Sequence, residues 1–299
     1  MISKNKNDLM QIKFIYKKVL KIYPFLTKAE RIIFEKKSKG IFDKFAKNNI
    51  AAEGAIKKLL SFLKNGHADI REYHKPDRKF MRKVKPQRVP SFEFRNRILY
   101  IKIPSWLMWL GKIDKKLNSF CQKNINKYNA IIIDVRDNQG GASKIAHNFA
   151  GIFFDKPIPY GKFTKKWKGD KLTTTTDKLE PNGKIFINKP IAILISKKCF
   201  SSNELFLAPF KISKRAILIG ETTRGGSANP ISEIIKCSGK EFVVKIPTWR
   251  FFLKGKKQPI EKTKIRPDIF YKGKNIEKFV ERYLLKKLNN KFIIKIYGT

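Results

Sequence analysis

Three runs of the chain are almost wholly apolar: "AIIIDV" (130–135), "PIAILIS" (190–196) and "RAILIG" (215–220). A strand with one solvated face alternates apolar and polar residues, whereas a strand buried on both faces reads as a continuous Ile/Val/Leu run. Stretches of helical spacing lie between them, "SKIAHNFAGIFF" (143–154) after the first and a segment opening at Asn203 after the second. Strands buried on both faces and alternating with helices specify an α/β fold on a mostly parallel sheet. "RILYIKIPSW" (97–106) adds a strand before them and "IDKKLNSFCQKNINK" (113–127) a helix.

Upstream the rhythm differs. "LMQIKFIYKKVLKIYPFL" (9–26), "AERIIFEKKSKGIFDKFAKN" (29–48) and "IAAEGAIKKLLSFLKNG" (50–66) place apolar residues at three- and four-residue steps. They predict three helices, the last stopped by Gly66, and an N-terminal helical subdomain over 1–74. Residues 75–97 are rich in Pro, Lys and Arg and read as a linker or exposed arm. The α/β core follows over 98–275. It includes a polar, Thr- and Lys-rich insertion up to Pro190 and an antiparallel pair within 233–253 turning at Ser238-Gly239. A C-terminal helix and tail fill 276–299, and no internal repeat is seen.

The formal net charge of +43 raises polyanions as partners. The lysines are spread through every segment, however, with no Arg-rich block and no zinc-finger spacing. Background composition with non-specific polyanion adhesion at low salt is the expectation. Cys121, Cys199 and Cys237 are odd in number and far apart, which argues against a disulfide framework or structural zinc and fits a reducing compartment. No apolar run approaches a membrane span, and the N-terminus lacks a signal-peptide pattern. These features predict a soluble, cytoplasmic protein with no metal or cofactor.

In open α/β sheets chemistry gathers at the carboxyl ends of strands. The run ending at Asp134 continues as "DVRDNQGG" (134–141), two glycines before a helix, where bare backbone N–H groups can meet a negative ligand. The same glycines also suit a plain tight turn. After the second strand comes "SKKCFSSNELFLAPF" (196–210). In isolation Ser201-x-x-Glu204 reads as a capping box, with the hydroxyl on a helix amide and the Glu reaching back. After the third comes a glycine loop, "GETTRGGSANP" (220–230).

Taken in order, these motifs resemble one family, the superfamily of C-terminal processing peptidases, the tricorn core protease and the interphotoreceptor retinoid-binding protein modules. The matching segments are Asp134-Val135-Arg136-Asp137-Asn138-Gln139-Gly140-Gly141, Ser201-Ser202-Asn203-Glu204, Gly220-Glu221-Thr222-Thr223-Arg224-Gly225 and Pro267-Asp268-Ile269. The resemblance spans roughly residues 50–270. It implies a ClpP/crotonase-like spiral α/β core and a serine-type peptidase with Ser201 as acylating nucleophile. Oxyanion amides would come from Gly140 or Gly141 and from Ser202, and Gly225 and Gly226 would shape the pocket. The processing peptidases carry a catalytic lysine where this chain has Gly226, and residues 75–97 leave no room for the PDZ domain that those peptidases insert. The chain is therefore more similar to the tricorn and retinoid-binding-protein branch.

A serine hydroxyl needs a base at neutral pH. Of the three histidines, His67 in "LKNGHADIR" matches a recurring family segment, with Asn65 where the acid usually stands. His147 reads as a helix-surface or core residue, and His74 as a solvated one. Lys102 is the alternative base by resemblance to the tricorn protease, provided burial lowers its pKa. The orienting acid implied by that resemblance is Glu261, seven residues before Asp268, with Asp69 competing and a surface pairing with Lys262 or Lys264 as the bland reading. The leading function is a serine-type peptidase acting on peptide or unfolded protein. A catalytically silent peptide- or lipid-binding module on the same fold and a polyanion-binding protein are the alternatives.

Overall fold

The structure, a computed structural model, describes residues 2–74, 90–106, 113–166 and 171–297. Its elements run α1 (Ile2–Ile22), α2 (Lys28–Ala46), α3 (Ala52–Ser61), β1 (Asp69–Glu72), β2 (Ser91–Arg95), β3 (Ile98–Lys102), α4 (Ile113–Lys123), β4 (Ala130–Asp134) and α5 (Ser143–Ala150). They continue through β5 (Ile158–Lys166), β6 (Leu172–Leu179), β7 (Ile191–Ile195), α6 (Ser202–Ser213), β8 (Ile217–Gly220), β9 (Ile231–Cys237), β10 (Lys240–Ile246), β11 (Trp249–Leu253), α7 (Ile260–Thr263), β12 (Ile269–Phe270) and α8 (Ile276–Tyr297). The chain divides into two compact units, the first of residues 1–83, 162–175 and 226–252, the second of residues 84–161, 176–225 and 253–299.

In the first unit, α1–α3 share a core with the antiparallel sheet β1-β10-β9. Ile12, Ile15, Ile56 and Leu59 from the helices meet Val244 and Ile246 from the sheet, all fully buried. Thr27 caps α2 by accepting the Glu30 N–H at 3.1 Å, while the Glu30 carboxylate accepts the Leu26 N–H at 2.8 Å. Helix α3 stops at Ser61 and the chain turns through Lys64 at φ +48°, so Gly66 is not its stop. The β9–β10 hairpin turns at Ser238 and Gly239, whose φ values of +50° and +79° are those a two-residue turn of this hand demands. Asp8 holds that turn from α1, accepting the Ser238 N–H at 2.8 Å and its hydroxyl at 2.6 Å.

The second unit is mixed α/β, built on a six-stranded sheet ordered β12-β8-β7-β4-β3-β2. All its pairings are parallel except that of β2 with β3. The three apolar runs supply β4, β7 and β8, the central strands. One face packs Ile98, Ala130, Ile132, Ala192, Leu194 and Ile219 against Ile276, Val280 and Leu284 of α8. The alternate residues Leu99, Ile131, Ile133, Ile193 and Leu218 are equally buried and turn to the opposite face. Helices α5 and α6 stack there through Phe149 and Phe206, with ring centroids 6.2 Å apart.

Two expectations change. The segment 75–97 ends in strand β2, so it is not linker throughout; residues 75–89 lie outside the described residues. The polar insertion before Pro190 forms β5 and β6, which join β11 in a three-stranded sheet. Its "TTTT" run carried a strand signal, because threonine is β-branched and suits a pleated, half-solvated surface.

Candidate active site

Within the second unit, the loops that follow β4, β7 and β8 come together. Asp134 ends β4 and turns back on its own loop, accepting the Arg136 N–H at 3.0 Å and its guanidinium at 2.9 and 2.7 Å. The same guanidinium reaches Glu277 at 2.9 Å, at the start of α8. Asn138 is fully buried; it donates to the Ile103 carbonyl at 3.0 Å and accepts the Gly140 N–H at 2.8 Å. The Gly140 amide is therefore already used inside the loop. Of the two glycines named for the oxyanion hole, Gly140 thus has its amide engaged by Asn138. Gly141 is bridged to Trp106 through its neighbours: Trp106 N–H donates to the Gly140 carbonyl at 2.9 Å and Ala142 N–H to the Trp106 carbonyl. The amides of Gly141 and Ser202 have no acceptor among the described residues.

Gly140 has φ +103° and sits against the serine loop. A Cβ there would lie 2.7 Å from Ser201 Cβ, 2.9 Å from the Phe200 carbonyl and 3.1 Å from the Ser202 nitrogen. Ser201 itself has φ +59° and ψ −129°, a backbone conformation that side chains rarely adopt. It precedes α6 and is partly exposed, whereas Ser202 to Phe210 are all buried.

The capping box is not made. No helix amide is capped by the Ser201 side chain, and the fully buried Glu204 turns to the third loop instead. Its Oε1 accepts the Thr223 hydroxyl and the Gly225 N–H at 2.5 and 3.1 Å. The Thr223 hydroxyl in turn accepts the Ile265 N–H at 2.9 Å, while Thr223 N–H donates to the Ile265 carbonyl at 3.0 Å. Glu204 thus clasps the serine helix to the glycine loop, and Thr223 clasps that loop to the segment after α7. Gly225 packs so closely on α7 that a Cβ would meet the Ile260 carbonyl at 2.8 Å and that of Glu261 at 3.3 Å. Glu261 itself is half-buried, with its Oε2 shut off from solvent. Gly226 opens a stretch that belongs to the first unit.

His67 also lies in the first unit, half-buried between α3 and β1, with its backbone N–H donating to Asn65 Oδ1 at 3.0 Å. Asp69, the competing acid, pairs with Arg71. Lys102, the alternative base, has a side chain that is 54% exposed, with its ammonium 4.0 Å from the Asp137 carboxylate. His74 is exposed. Cys199, two residues before Ser201, is no rival nucleophile, since burial pushes its thiol up to about 12 and the thiol donates to the Val135 carbonyl.

Two residues essential to this geometry, Asn203 and Trp106, were given no role by the sequence reading. The Asn203 amide donates to the carbonyls of Val135 and Asn138 at 3.3 and 3.1 Å, and its oxygen accepts Trp106 Nε1–H at 3.1 Å. The Ser202 hydroxyl donates to the Gly141 carbonyl at 2.6 Å. An asparagine at the start of an otherwise apolar helix, and a tryptophan closing a strand, were the available signals. Asn203→Leu is expected to destabilise the fold by about 2–4 kcal/mol, because it leaves a buried indole N–H and two buried carbonyls short of partners. Urea unfolding checks this.

The strand-end loops of this α/β sheet bring a serine with positive φ against Gly140. The family follows from comparison: residues 97–271, more than half of the chain, match the model of peptidase family S41, and the chain belongs to that family. It is 29% identical over 115 residues to carboxyl-terminal-processing peptidase 2, chloroplastic, of Arabidopsis thaliana, a match covering 38% of this chain and about a fifth (21%) of that protein. Among solved structures, a candidate peptidase from Parabacteroides merdae superposes with a TM-score of 0.66 at 17% identity, covering 92% of each chain. A lipoprotein from Streptococcus agalactiae superposes with a TM-score of 0.65 at 18% identity, covering 94% of this chain and 96% of that one. No helix among the described residues is long and apolar enough to cross a membrane.

Proposed function

We propose that the chain is a serine-type peptidase with a ClpP/crotonase-like core, acting on peptide or unfolded protein through an acyl-enzyme at Ser201. The observation that carries this reading is the strained Ser201 backbone, held at the head of α6 against Gly140 with two uncommitted amides beside it. Strain of this kind persists where surrounding structure enforces it, and it sets a nucleophile apart from a cap. In the proposed reaction Ser201 Oγ attacks the scissile carbonyl, and the amides of Gly141 and Ser202 hold the oxyanion. His67, assigned from the sequence, takes the hydroxyl proton and returns it to the leaving amine; water then frees the acyl group by the same route. Glu261 orients the imidazole.

A biotinylated phosphonate is expected to label the native chain once, on the peptide containing Ser201, as mass spectrometry will read. Labelling elsewhere, or none in a chain that binds peptide, would favour the catalytically silent binding module.

A further inference from the structure

The serine loop and the glycine loop meet a second time beside the Glu204 clasp. Arg224 N–H donates to the Cys199 carbonyl at 3.0 Å, and its guanidinium lies over the ring of Phe200, with Cζ 4.6 Å from the centroid. Phe200 is buried and directly precedes Ser201, and its carbonyl faces Gly140. Arg224 itself is exposed. The backbone on either side of it is fixed, since Thr223 is bonded to Ile265 and Gly225 to Glu204. A second cation stands beside Gly225. Lys264, also exposed, runs its stem so close that a Cβ at Gly225 would lie 2.9 Å from Lys264 Cγ.

These two cations differ from others near the strand ends. Arg136 pairs with Asp134 and Glu277, Lys198 with Asp137, and Lys211 with Asp268. Arg224 and Lys264 have no ion pair among the described residues. Stacking on a ring uses only the face of a guanidinium. Its N–H groups lie in the plane and point outward, where they can take a carboxylate by two parallel hydrogen bonds. The ring also restricts the arginine's rotamers, so less freedom is lost when a ligand binds.

We propose that Arg224, assisted by Lys264, is a specificity-determining residue that binds an acidic side chain of the peptide next to the scissile bond. Its guanidinium is stacked on the residue before Ser201, so with a carbonyl at Ser201 Oγ the flanking side chains of the peptide are the ones in reach. A glutamate or aspartate there supplies the missing counter-charge, and a lysine or arginine there is repelled. The position of the cut rests on the peptidase reading; the carboxylate site itself does not. A net charge of +43 attracts any acidic peptide, but that attraction is indifferent to where in the peptide the acid stands. The stacked arginine is not.

The test uses fluorescent peptides acetylated and amidated at their ends, so that no terminal carboxylate is present. Each carries one Glu, scanned through positions on both sides of the cut, and has a Gln counterpart. The expected result is a kcat/KM about fivefold higher for Glu than for Gln at a position next to the cut, with no such gain far from it. In Arg224→Gln that ratio falls to about one, and Arg224→Lys, which keeps the charge without the planar fork, recovers only part of it. Each ratio compares two substrates in one chain, so partial unfolding of a variant leaves it unchanged. A native ratio near one at every position, a ratio that survives Arg224→Gln, or an equal gain wherever the Glu stands overturns the proposal. So does a preference that appears only when the peptide's C-terminus is left free. A native chain that hydrolyses none of the peptides sinks the peptidase reading instead, and fluorescence polarisation then decides the site. Tighter binding of the Glu peptide that is lost in Arg224→Gln upholds it, and equal binding of the pair overturns it.

Discussion

Ser201→Ala is expected to lower peptide turnover on the order of 10⁴-fold or more and to abolish phosphonate labelling, with little change in melting temperature. Ser201→Gly is expected to lose as much activity and yet melt higher. Both variants remove the hydroxyl, but only glycine relieves the backbone. A side chain held at φ +59° and ψ −129° stores about 1–3 kcal/mol. Glycine's greater freedom in the unfolded chain offsets about 0.5–1 kcal/mol of the relief. Each kcal/mol of the remainder corresponds to a rise of about 2–4 °C for a domain of about 150–250 residues. The pair of variants therefore separates chemistry from strain. A Ser201→Ala chain that hydrolyses at the native rate overturns the nucleophile, and a Ser201→Gly chain that melts lower overturns the strain argument.

Gly140→Ala is expected to reduce kcat/KM about 100-fold or more and to destabilise the fold by about 2–4 kcal/mol, as loss of oxyanion geometry, overpacking and a positive φ together imply. The new methyl would stand 2.7 Å from Ser201 Cβ and 2.9 Å from a backbone carbonyl, and neither is the loose end of a side chain. Relief can come only by moving the loop after β4 away from the loop after β7, which separates Gly141 from Ser202. Gly183→Ala is the control. Its φ of +76° is similarly unfavourable, but no atom lies within 4 Å of the added methyl. It should lose about 1 kcal/mol in urea and no activity. Comparable losses of activity in the two variants would show that crowding at Gly140 is not what matters.

Much of this molecule is local information. Runs such as Ile131 to Ile133 and Ile191 to Ile195 can only be strands covered on both sides, and the spacing of Ile12, Ile15 and Val19 can only be one face of a helix. Glycine needs at Gly140 and Gly225 are local too, because positive φ is a property of the residue. The short-range rule failed at Ser201-x-x-Glu204. The same pattern forms a true cap at Thr27-x-x-Glu30, where Glu30 remains near the surface, but at α6 the carboxylate is buried and finds Thr223 and Gly225 nineteen and twenty-one residues away. A buried carboxylate must take whichever donors the fold brings to it, and no window of four residues names them.

The sequence by itself determined the order of the elements, the buried sheet, the glycine loops and the serine at the head of α6, since each follows from periodicity, side-chain branching or backbone freedom. Tertiary structure decided the rest. It spent the Gly140 amide on Asn138, left Lys102 in water, put the β9–β10 hairpin in one core with α1–α3, and turned Glu204 to Thr223 and Gly225. Those outcomes concern which polar group meets which partner across distant stretches of chain, and only the closed fold sets that.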